Sequence, residues 1–148
     1  MRVSGARSIR APAAEVWGFL MTPERLRTCL PGCERFEPSA TDTFSARMRL
    51  GVGFVKGTYH GVVRVIDQQP FDTLGLAIEG SGALGSLSAN GTIHFAESGG
   101  TTHLLYDGKA DVGGRVGAMG ERVISATASK LIDLFFSCLA SKVERNPV

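Results

Sequence analysis

The C-terminal part of the chain carries a long apolar stripe behind a largely strand-like sequence. Within residues 113–144, apolar residues recur at spacings of three and four, which is typical of a helix laid on an apolar surface. The stripe comprises Val116, Met119, Gly120, Val123, Thr127, Leu131, Leu134, Phe135 and Cys138. Gly114, Gly117 and Gly120 each cost about 1 kcal/mol of helix stability relative to alanine, so they predict close approach of a strand or a ligand. We expect function to reside in space left between this helix and a curved sheet.

Strand-like segments fill most of the preceding chain. Alternating apolar and polar residues predict strands over 2–10, 43–52, 55–67, 73–80, 84–96 and 102–112, with a weaker one over 33–39. Pro12 suits the first position of a helix that runs to Met21, and Thr22 can cap a second short helix ending before Pro31. Because strands and helices do not alternate as βαβ units, the sequence predicts an antiparallel sheet and the α+β class.

Length and composition predict one soluble domain. The 148 residues suit a single domain over 1–148, and 43% hydrophobic with 20% charged residues is ordinary for a globular protein. A net charge of +2 is too weak to indicate a nucleic-acid partner. The N-terminus lacks an apolar signal sequence and no run of 18 apolar residues occurs, so we expect a cytoplasmic protein. Three cysteines then favour reduced thiols over a disulfide framework.

Several local motifs narrow the interpretation. They are Leu30-Pro31-Gly32-Cys33, Gly51-Val52-Gly53, Tyr59-His60-Gly61, Gly80-Ser81-Gly82, and the segments 101–106 and 113–122. With the element order, they make the chain similar, over nearly its whole length, to the CoxG family of the Bet v 1/START-like superfamily, named for the G subunit of carbon monoxide dehydrogenase. The resemblance implies a helix-grip fold, in which a curved antiparallel sheet of about seven strands wraps around a long C-terminal helix. Two short helices are expected between strands 1 and 2.

The resemblance also implies a function. CoxG-like proteins are accessory to molybdenum-containing carbon monoxide dehydrogenases and related hydroxylases, and are thought to recruit the enzyme to the membrane and handle a lipid or quinone. The resemblance thus implies a non-enzymatic protein without a cofactor. This chain ends at Asn146-Pro147-Val148, without the membrane-binding extension of longer members, so we do not expect stable anchoring. Peripheral contact with the inner face of the membrane stays open.

The expected ligand site is the apolar surface between sheet and helix. The predicted ligand-binding residues are Leu26, Leu30, Phe44, Met48, Val55, Tyr59, Leu76, Ile78, Leu104, Tyr106, Met119, Val123 and Thr127. Pockets of this kind are apolar with a few polar groups that fix orientation, and the two tyrosines can supply such donors. The alternative for any one of these residues is an ordinary core position. The expected gate comprises the Leu30 to Cys33 turn, the Gly51 to Gly53 hairpin and the glycine-rich start of the last helix.

Other candidate sites favour structural interpretations. Cys29 and Cys33 lack a second ligand pair, so we predict no metal site and interpret both as small buried thiols, with Cys138 in the core. The histidines lie on different predicted strands, and we predict no catalytic residue; they are His60, His94 and His103. A basic strand face is either solvated or meets an acidic partner or lipid headgroups; it comprises Arg47, Arg49, Lys56 and Arg64.

Three functional hypotheses follow. The leading one is a carrier that binds a lipid or quinone and hands it to an enzyme. The second is a small-molecule enzyme of the same superfamily, of cyclase, dehydratase or hydrolase type. The third is a docking or assembly protein with a filled core.

Overall fold

The protein is an antiparallel sheet with helices on one face. The computed structural model describes residues 1–51 and 55–144. The elements follow one another as β1 (Arg2–Ile9), α1 (Ala13–Leu20), α2 (Pro23–Arg27), β2 (Cys33–Ala40), β3 (Thr43–Leu50), β4 (Gly57–Gln69), β5 (Thr73–Gly82), β6 (Gly85–Ser98), β7 (Thr101–Gly113), α3 (Gly114–Gly117) and α4 (Glu121–Val143). The predicted α+β helix-grip architecture, with two short helices between the first two strands, is confirmed.

The seven strands form one sheet in the order β1-β7-β6-β5-β4-β3-β2. Every neighbouring pair is antiparallel, so the chain meanders from β2 to β7 and then brings β1 alongside β7. Because side chains alternate between faces along a strand, one set of residues points toward α4 and the other points to the opposite side. We call these the inner and the outer face of the sheet.

In the described part of the chain, most of the buried large side chains lie between the sheet and the helices at one end. The buried cluster there comprises Ile9, Val16, Trp17, Phe19, Leu74, Phe95, Leu104, Phe136 and Leu139. Trp17 on α1 packs against Phe95 on β6 with ring centroids 5.3 Å apart. Thr102 is fully buried in this region and donates a hydrogen bond from Oγ1 to the carbonyl oxygen of Ala11 at 2.7 Å. This end is therefore a conventional packed core.

The C-terminal half of α4 is attached to this core. Its buried residues are Phe136, Leu139 and Val143. The guanidinium of Arg7 on β1 donates a hydrogen bond to the Asp133 carboxylate and lies 5.5 Å from the centroid of the Phe136 ring. Glu144, just after the helix, accepts a hydrogen bond from the backbone N–H of Arg10 at 3.0 Å. The N-terminal half of α4 contains no buried residue, so the two halves of the helix have different environments.

The predicted continuous helix over 113–144 is wrong in its first part. A short helix, α3, ends at Gly117, and α4 begins at Glu121 after a break at Gly120, whose φ of +91° is left-handed backbone that favours glycine. Met119 lies in this break and is 37% exposed instead of facing the sheet. The expected strand end at Val52 and the Gly53 part of the expected gate lie outside the described residues, as does the expected chain end at Asn146-Pro147-Val148.

The prediction of reduced, separate thiols is also wrong for two of the three cysteines. Cys29, after α2, forms a disulfide with Cys138 on α4, and their Cα atoms are 5.4 Å apart, within the usual range for such bridges. Cys33 is a free thiol. The two bonded cysteines are 109 residues apart in the sequence. Because this separation gives no local spacing signal, the sequence pattern does not indicate the pairing.

Candidate functional site: an apolar cavity

An apolar cavity with two lobes lies between the inner face of the sheet and the N-terminal half of α4. The first lobe, of about 380 Å³, lies beside Leu30 and Met48. The second, of about 440 Å³, lies toward β1 beneath Val3 and Tyr106. Residues that line both lobes are Ile78, Leu87, Val112, Ile124, Ala128 and Leu131. Both volumes are in the range of small-molecule sites.

Glycines on the inner face create much of this space. Gly61 on β4 pairs with Gly80 on β5, and Gly91 on β6 pairs with Gly108 on β7. At these positions the inner face of the sheet has no side chain, whereas in the packed core the same face carries large side chains such as Phe95 and Leu104. The opposing helix residues Thr127 and Ala128 are also small. These small residues leave room among larger lining residues such as Met48, Leu87 and Leu131.

The cavity is reached by solvent. Leu87 points toward the helix from β6, yet 37% of its surface is exposed. Residues lining the helix side, such as Ile124 and Leu131, are only half-buried. A ligand that covers this apolar surface gains binding free energy, since burial stabilises by about 25 cal/mol per Å².

Tyr59 supplies an unpaired polar group in this apolar setting. Its side chain lines the first lobe and packs over Gly82, where an added Cβ atom would lie 2.8 Å from the Tyr59 Cδ1 atom. The Tyr59 hydroxyl oxygen is shielded from solvent and has no hydrogen-bond partner in the described part of the chain. Burial raises the pKa of this hydroxyl, so it stays protonated and can donate a hydrogen bond. An unpaired buried hydroxyl costs about 1–3 kcal/mol. Because less than 1 Å² of this oxygen is accessible, a ligand acceptor recovers that cost only if the Tyr59 side chain shifts toward the lobe.

The charged residues near the cavity point away from it. His60 and Glu79 alternate with the inward-facing Tyr59 and Ile78, and both are exposed on the outer face. Asp107 and Lys109 flank Gly108 in the same manner on β7. Only their backbone atoms can border the lobes, because strand geometry directs their side chains to the other side. The titratable side chains that face the cavity from the described strands are therefore the two phenols, Tyr59 and Tyr106.

Eight of the thirteen predicted ligand-binding residues line the lobes. Those at the first lobe are Leu30, Met48, Val55, Tyr59, Ile78 and Thr127, and those at the second are Leu76, Ile78 and Tyr106. Tyr106 also stacks on Phe136 with centroids 5.5 Å apart, so it marks the border between cavity and core. That these residues bind a ligand remains a prediction.

The other five residues lie elsewhere. Leu104 is 1% exposed in the packed core, and Leu26 packs against that core. Phe44 stacks on Phe36 with centroids 5.2 Å apart, which places Phe36, not Phe44, at the lobe. Met119 lies in the break between α3 and α4, and the half-exposed Val123 does not line either lobe. The sequence prediction extends the apolar stripe across Gly120 as one helix, and it therefore places Met119 and Val123 incorrectly.

The glycine floor and part of the helix wall do not follow from the sequence interpretation. From the sequence, glycines in the strand segments are interpreted as turns, bulges or points of close approach. In the structure, Gly61, Gly80, Gly91 and Gly108 all lie at inward positions of their strands. Each of these glycines lies at an even spacing from the inward apolar residues of its own strand, and this spacing is the sequence signal that could have placed them in the cavity. Ile124 and Ala128 line both lobes but are absent from the predicted site, whereas Thr127 and Leu131 of the predicted stripe line the first lobe beside them.

The basic strand face is partly neutralised. Glu34 on β2 accepts ion pairs from Arg47 at 3.2 Å and from Arg49 at 3.8 Å. Lys56 and Arg64 are exposed. In the described residues, no group of three or more His, Cys, Asp and Glu side chains is placed to hold a metal ion. Ser8 Oγ and His103 Nδ1 share a hydrogen bond of 2.9 Å on the outer face, and neither residue lines the lobes.

Comparison with known protein families shows which family the chain belongs to. The family model of CoxG, the G subunit of carbon monoxide dehydrogenase, matches residues 5–144. The chain belongs to the CoxG family. Among curated proteins there is no match to this CoxG chain.

Solved structures share the CoxG fold described above. A conserved protein from Geobacillus kaustophilus is 31% identical with a TM-score of 0.93, over 96% of this chain and 94% of that one. A START superfamily protein from Mycobacterium smegmatis is 12% identical with a TM-score of 0.75, over 96% of each chain. A protein from Chromobacterium violaceum is 14% identical with a TM-score of 0.74, over 98% and 99% of the two chains. The last two similarities indicate a common fold.

One helix of this CoxG chain is long and apolar enough to cross a bilayer. It is α4, with 23 residues and a mean hydropathy of 1.5 over its most apolar window. A helix that packs along a cavity in a soluble protein meets the same criterion of length and composition. In α4, Phe136, Leu139 and Val143 are buried in the core and Ile124, Ala128 and Leu131 line the two lobes, whereas Leu134 is 47% exposed and Val123 lines neither lobe.

Proposed function

We propose that this chain is a non-enzymatic accessory protein that carries a neutral hydrophobic ligand, a lipid or a quinone, in the two-lobed cavity. It would deliver this ligand to a molybdenum hydroxylase of the carbon monoxide dehydrogenase type. The observation that carries the proposal is an apolar cavity whose lining holds one buried hydroxyl without a partner, that of Tyr59. Membership of the CoxG family supports the accessory role.

The cavity chemistry favours an apolar body with one hydrogen-bond acceptor. Covering about 300 Å² of apolar ligand surface would contribute about 7 kcal/mol before the costs of association. The Tyr59 hydroxyl can donate to a carbonyl or ether oxygen and so fix one end of the ligand. The second lobe then accommodates an apolar tail extending toward Val3 and Tyr106.

A neutral ligand fits better than a charged one. A carboxylate or phosphate inside the lobes would need a cationic partner, because an unpaired buried charge is strongly disfavoured. The basic side chains on the neighbouring strands, such as Lys109 and Arg47, are exposed on the outer face. We therefore expect a quinone or neutral lipid to bind more tightly than a fatty acid with the same tail.

The enzyme partner is inferred from the family. CoxG is named as one of the subunits of carbon monoxide dehydrogenase, and a quinone carrier beside a redox enzyme would hold the electron acceptor in a form soluble in water. The charged groups around the lobes face outward, which supports carriage over catalysis by acid–base chemistry. The enzyme and docking hypotheses become outcomes of the tests that follow.

The direct test is identification of the cargo. The protein is purified without detergent, its mass is measured under native conditions, and bound molecules are extracted and identified. A neutral lipid or quinone supports the proposal, and the apo protein should then take up a prenylated quinone in preference to a fatty acid of equal length. A clean apo mass with no uptake of either would contradict carriage and favour the docking hypothesis.

Delivery requires a second test. Quinone-loaded protein is mixed with a carbon monoxide dehydrogenase-type enzyme, and reduction of the carried quinone is followed spectroscopically. The loaded protein should raise the rate of quinone reduction above that of the same amount of free quinone. The matched control is the Gly80→Phe variant, which lacks space for the ligand. Turnover of a small substrate by the chain alone would favour the enzyme hypothesis.

A further inference from the structure

A surface cleft lies directly beside the first lobe. It has a volume of about 390 Å³ and its lining comprises Thr28, Cys29, Leu30, Pro31, Gly32, Arg49, Leu50, Gly51, Leu134 and Cys138. Leu30, Pro31 and Leu50 line both this cleft and the first lobe. These three residues therefore form a thin wall between the cavity and the surface. We call them the portal wall.

The portal wall is held from two sides. On the sheet side, the backbone N–H of Arg49 donates a hydrogen bond to the Gly32 carbonyl oxygen at 2.8 Å. On the helix side, the disulfide joins Cys29, the residue before Leu30, to Cys138 on α4. Leu134 lies one helical turn before Cys138 on the same side of α4 and borders the cleft with 47% of its surface exposed. The disulfide thus ties the wall to the helix that covers the cavity.

We propose that the Cys29–Cys138 disulfide is a redox latch on this portal. In the oxidised protein the wall is fixed to α4 and the ligand is retained. In the reduced protein Leu30 and Pro31 can move away from α4, and the ligand exchanges faster. The inference rests on the proposed function, because a latch needs a ligand to retain.

The chemistry is a thiol–disulfide exchange with a dithiol reductant. One thiolate of the reductant attacks Cys138 Sγ, since Cys138 is half-buried whereas Cys29 is only 4% exposed. The S–S bond breaks, Cys29 leaves as a thiolate and takes a proton, and a mixed disulfide remains on Cys138. The second thiol of the reductant displaces Cys138, which also takes a proton. The two electrons thus pass from the dithiol, which becomes a disulfide, to the two cysteines.

Cys33 offers a matched control for this chemistry. It lies at the start of β2, close in sequence to the portal wall, and is the free thiol among the three cysteines. Burial raises the pKa of the Cys33 thiol, which keeps it protonated and a poor nucleophile. A Cys33→Ser variant retains the latch and should respond to reduction as the unmodified protein does.

The test measures how fast a carried probe leaves the protein in each redox state. Protein loaded with Nile red, a neutral apolar dye, is mixed with phosphatidylcholine vesicles, and the transfer of fluorescence is followed before and after treatment with dithiothreitol. Thiol labelling after acid quenching and unfolding in denaturant should count one free cysteine before treatment and three after. We expect reduction to speed transfer about tenfold, equivalent to a barrier lowered by about 1.4 kcal/mol. Reoxidation should restore slow transfer.

Variants separate a latch from general stabilisation. Loss of any disulfide lowers thermal stability, but a latch predicts that Cys138→Ser transfers the dye rapidly with or without dithiothreitol. Leu30→Ala thins the wall with the disulfide intact, and it should transfer faster than the unmodified protein while oxidised. Cys138→Ser can be replaced in this test if it does not fold. The comparison of oxidised with reduced unmodified protein, together with Leu30→Ala, then decides whether the disulfide slows ligand exchange.

Two negative results have different meanings. Equal transfer rates in both redox states, with three thiols counted after reduction, would overturn the latch and leave the carrier function intact. Failure of every form to take up Nile red, a quinone or a lipid would overturn the carrier function and with it the latch.

Discussion

Gly61 on β4 lies directly opposite Gly80 on β5, and together they give the first lobe a floor made of backbone. An added Cβ atom at Gly80 would have the His60 carbonyl oxygen as its nearest heavy atom, at 3.7 Å, which is an ordinary van der Waals distance. A Cβ atom can therefore be added at Gly80 without a steric clash. It would project into the cavity, because Gly80 has the inward parity of Ile78.

The Gly80→Phe variant should fold but lose its ligand. The aromatic ring would occupy much of the first lobe, so we expect affinity for a quinone or for Nile red to fall at least about tenfold, equivalent to 1.4 kcal/mol. Ser81→Phe, which places the same ring on the outer face, is the control and should retain affinity. Circular dichroism establishes folding for both variants. Equal affinity of the two variants would show that the ligand does not use the first lobe.

The Tyr59→Phe variant should change stability and affinity in opposite directions. Removing a buried hydroxyl without a partner should raise the free energy of unfolding by up to about 1 kcal/mol. Affinity for a carbonyl-bearing ligand should fall about fivefold, because one hydrogen bond is worth about 1 kcal/mol. Denaturant titration and fluorescence binding measure the two effects. Tyr106→Phe is the comparison, and an equal loss of affinity there would contradict the special role of Tyr59.

The two halves of α4 should respond differently to truncation. Leu139 is fully buried in the core, so Leu139→Ala should lower the free energy of unfolding by about 2–5 kcal/mol. Leu131 lines both lobes and is half-buried, so Leu131→Ala should cost less than about 1 kcal/mol while it weakens ligand binding. Urea unfolding of both variants in the ligand-free state makes the comparison. Similar destabilisation by the two changes would mean that the N-terminal half of α4 is packed like a core helix.

Acid should loosen the attachment of the C-terminal end of α4. Hydrogen bonds from the Arg10 backbone and guanidinium lower the pKa of Glu144 below its ordinary value of about 4.3. A lowered pKa in the folded state stabilises the protein above the unfolded-state pKa, and that stability is lost as the pH falls through the folded value. The Tm of the unmodified protein should therefore fall below about pH 4.3, and less steeply in Glu144→Gln. An identical pH profile for the two proteins would show that this contact does not stabilise the fold.

The element order and fold class could be predicted because their signals are local. Alternation within each strand and glycine-containing turns between strands repeat along the chain, and these patterns do not depend on distant residues. The position of the cavity followed from the fold. The residues that line the cavity could not be predicted in full. The pairing of Gly61 with Gly80 depends on strand register, which the sequence specifies only through the complete sheet.

The remaining errors have different physical causes. The helix break at Gly120 interrupts an apolar stripe that continues on both sides of it, so periodicity alone predicts one helix. The Cys29–Cys138 bond joins residues that only the folded chain brings together. The break displaces Met119 and Val123 from their predicted positions, and Phe44 is drawn into its stack on Phe36.

A binding floor made of backbone also bears on how such a protein diversifies. At Gly80 an added Cβ atom has no heavy atom closer than 3.7 Å, whereas at Gly91 it would lie 2.9 Å and at Gly108 2.5 Å from backbone of the neighbouring strand, so the strand pairing requires glycine at those two positions. A single change from glycine to alanine, valine or leucine at Gly80 could therefore reshape the accepted ligand while the rest of the architecture stays the same. If the proposed carriage is correct, ligand preference in this scaffold is a property that the codon for Gly80 can tune with little effect on folding.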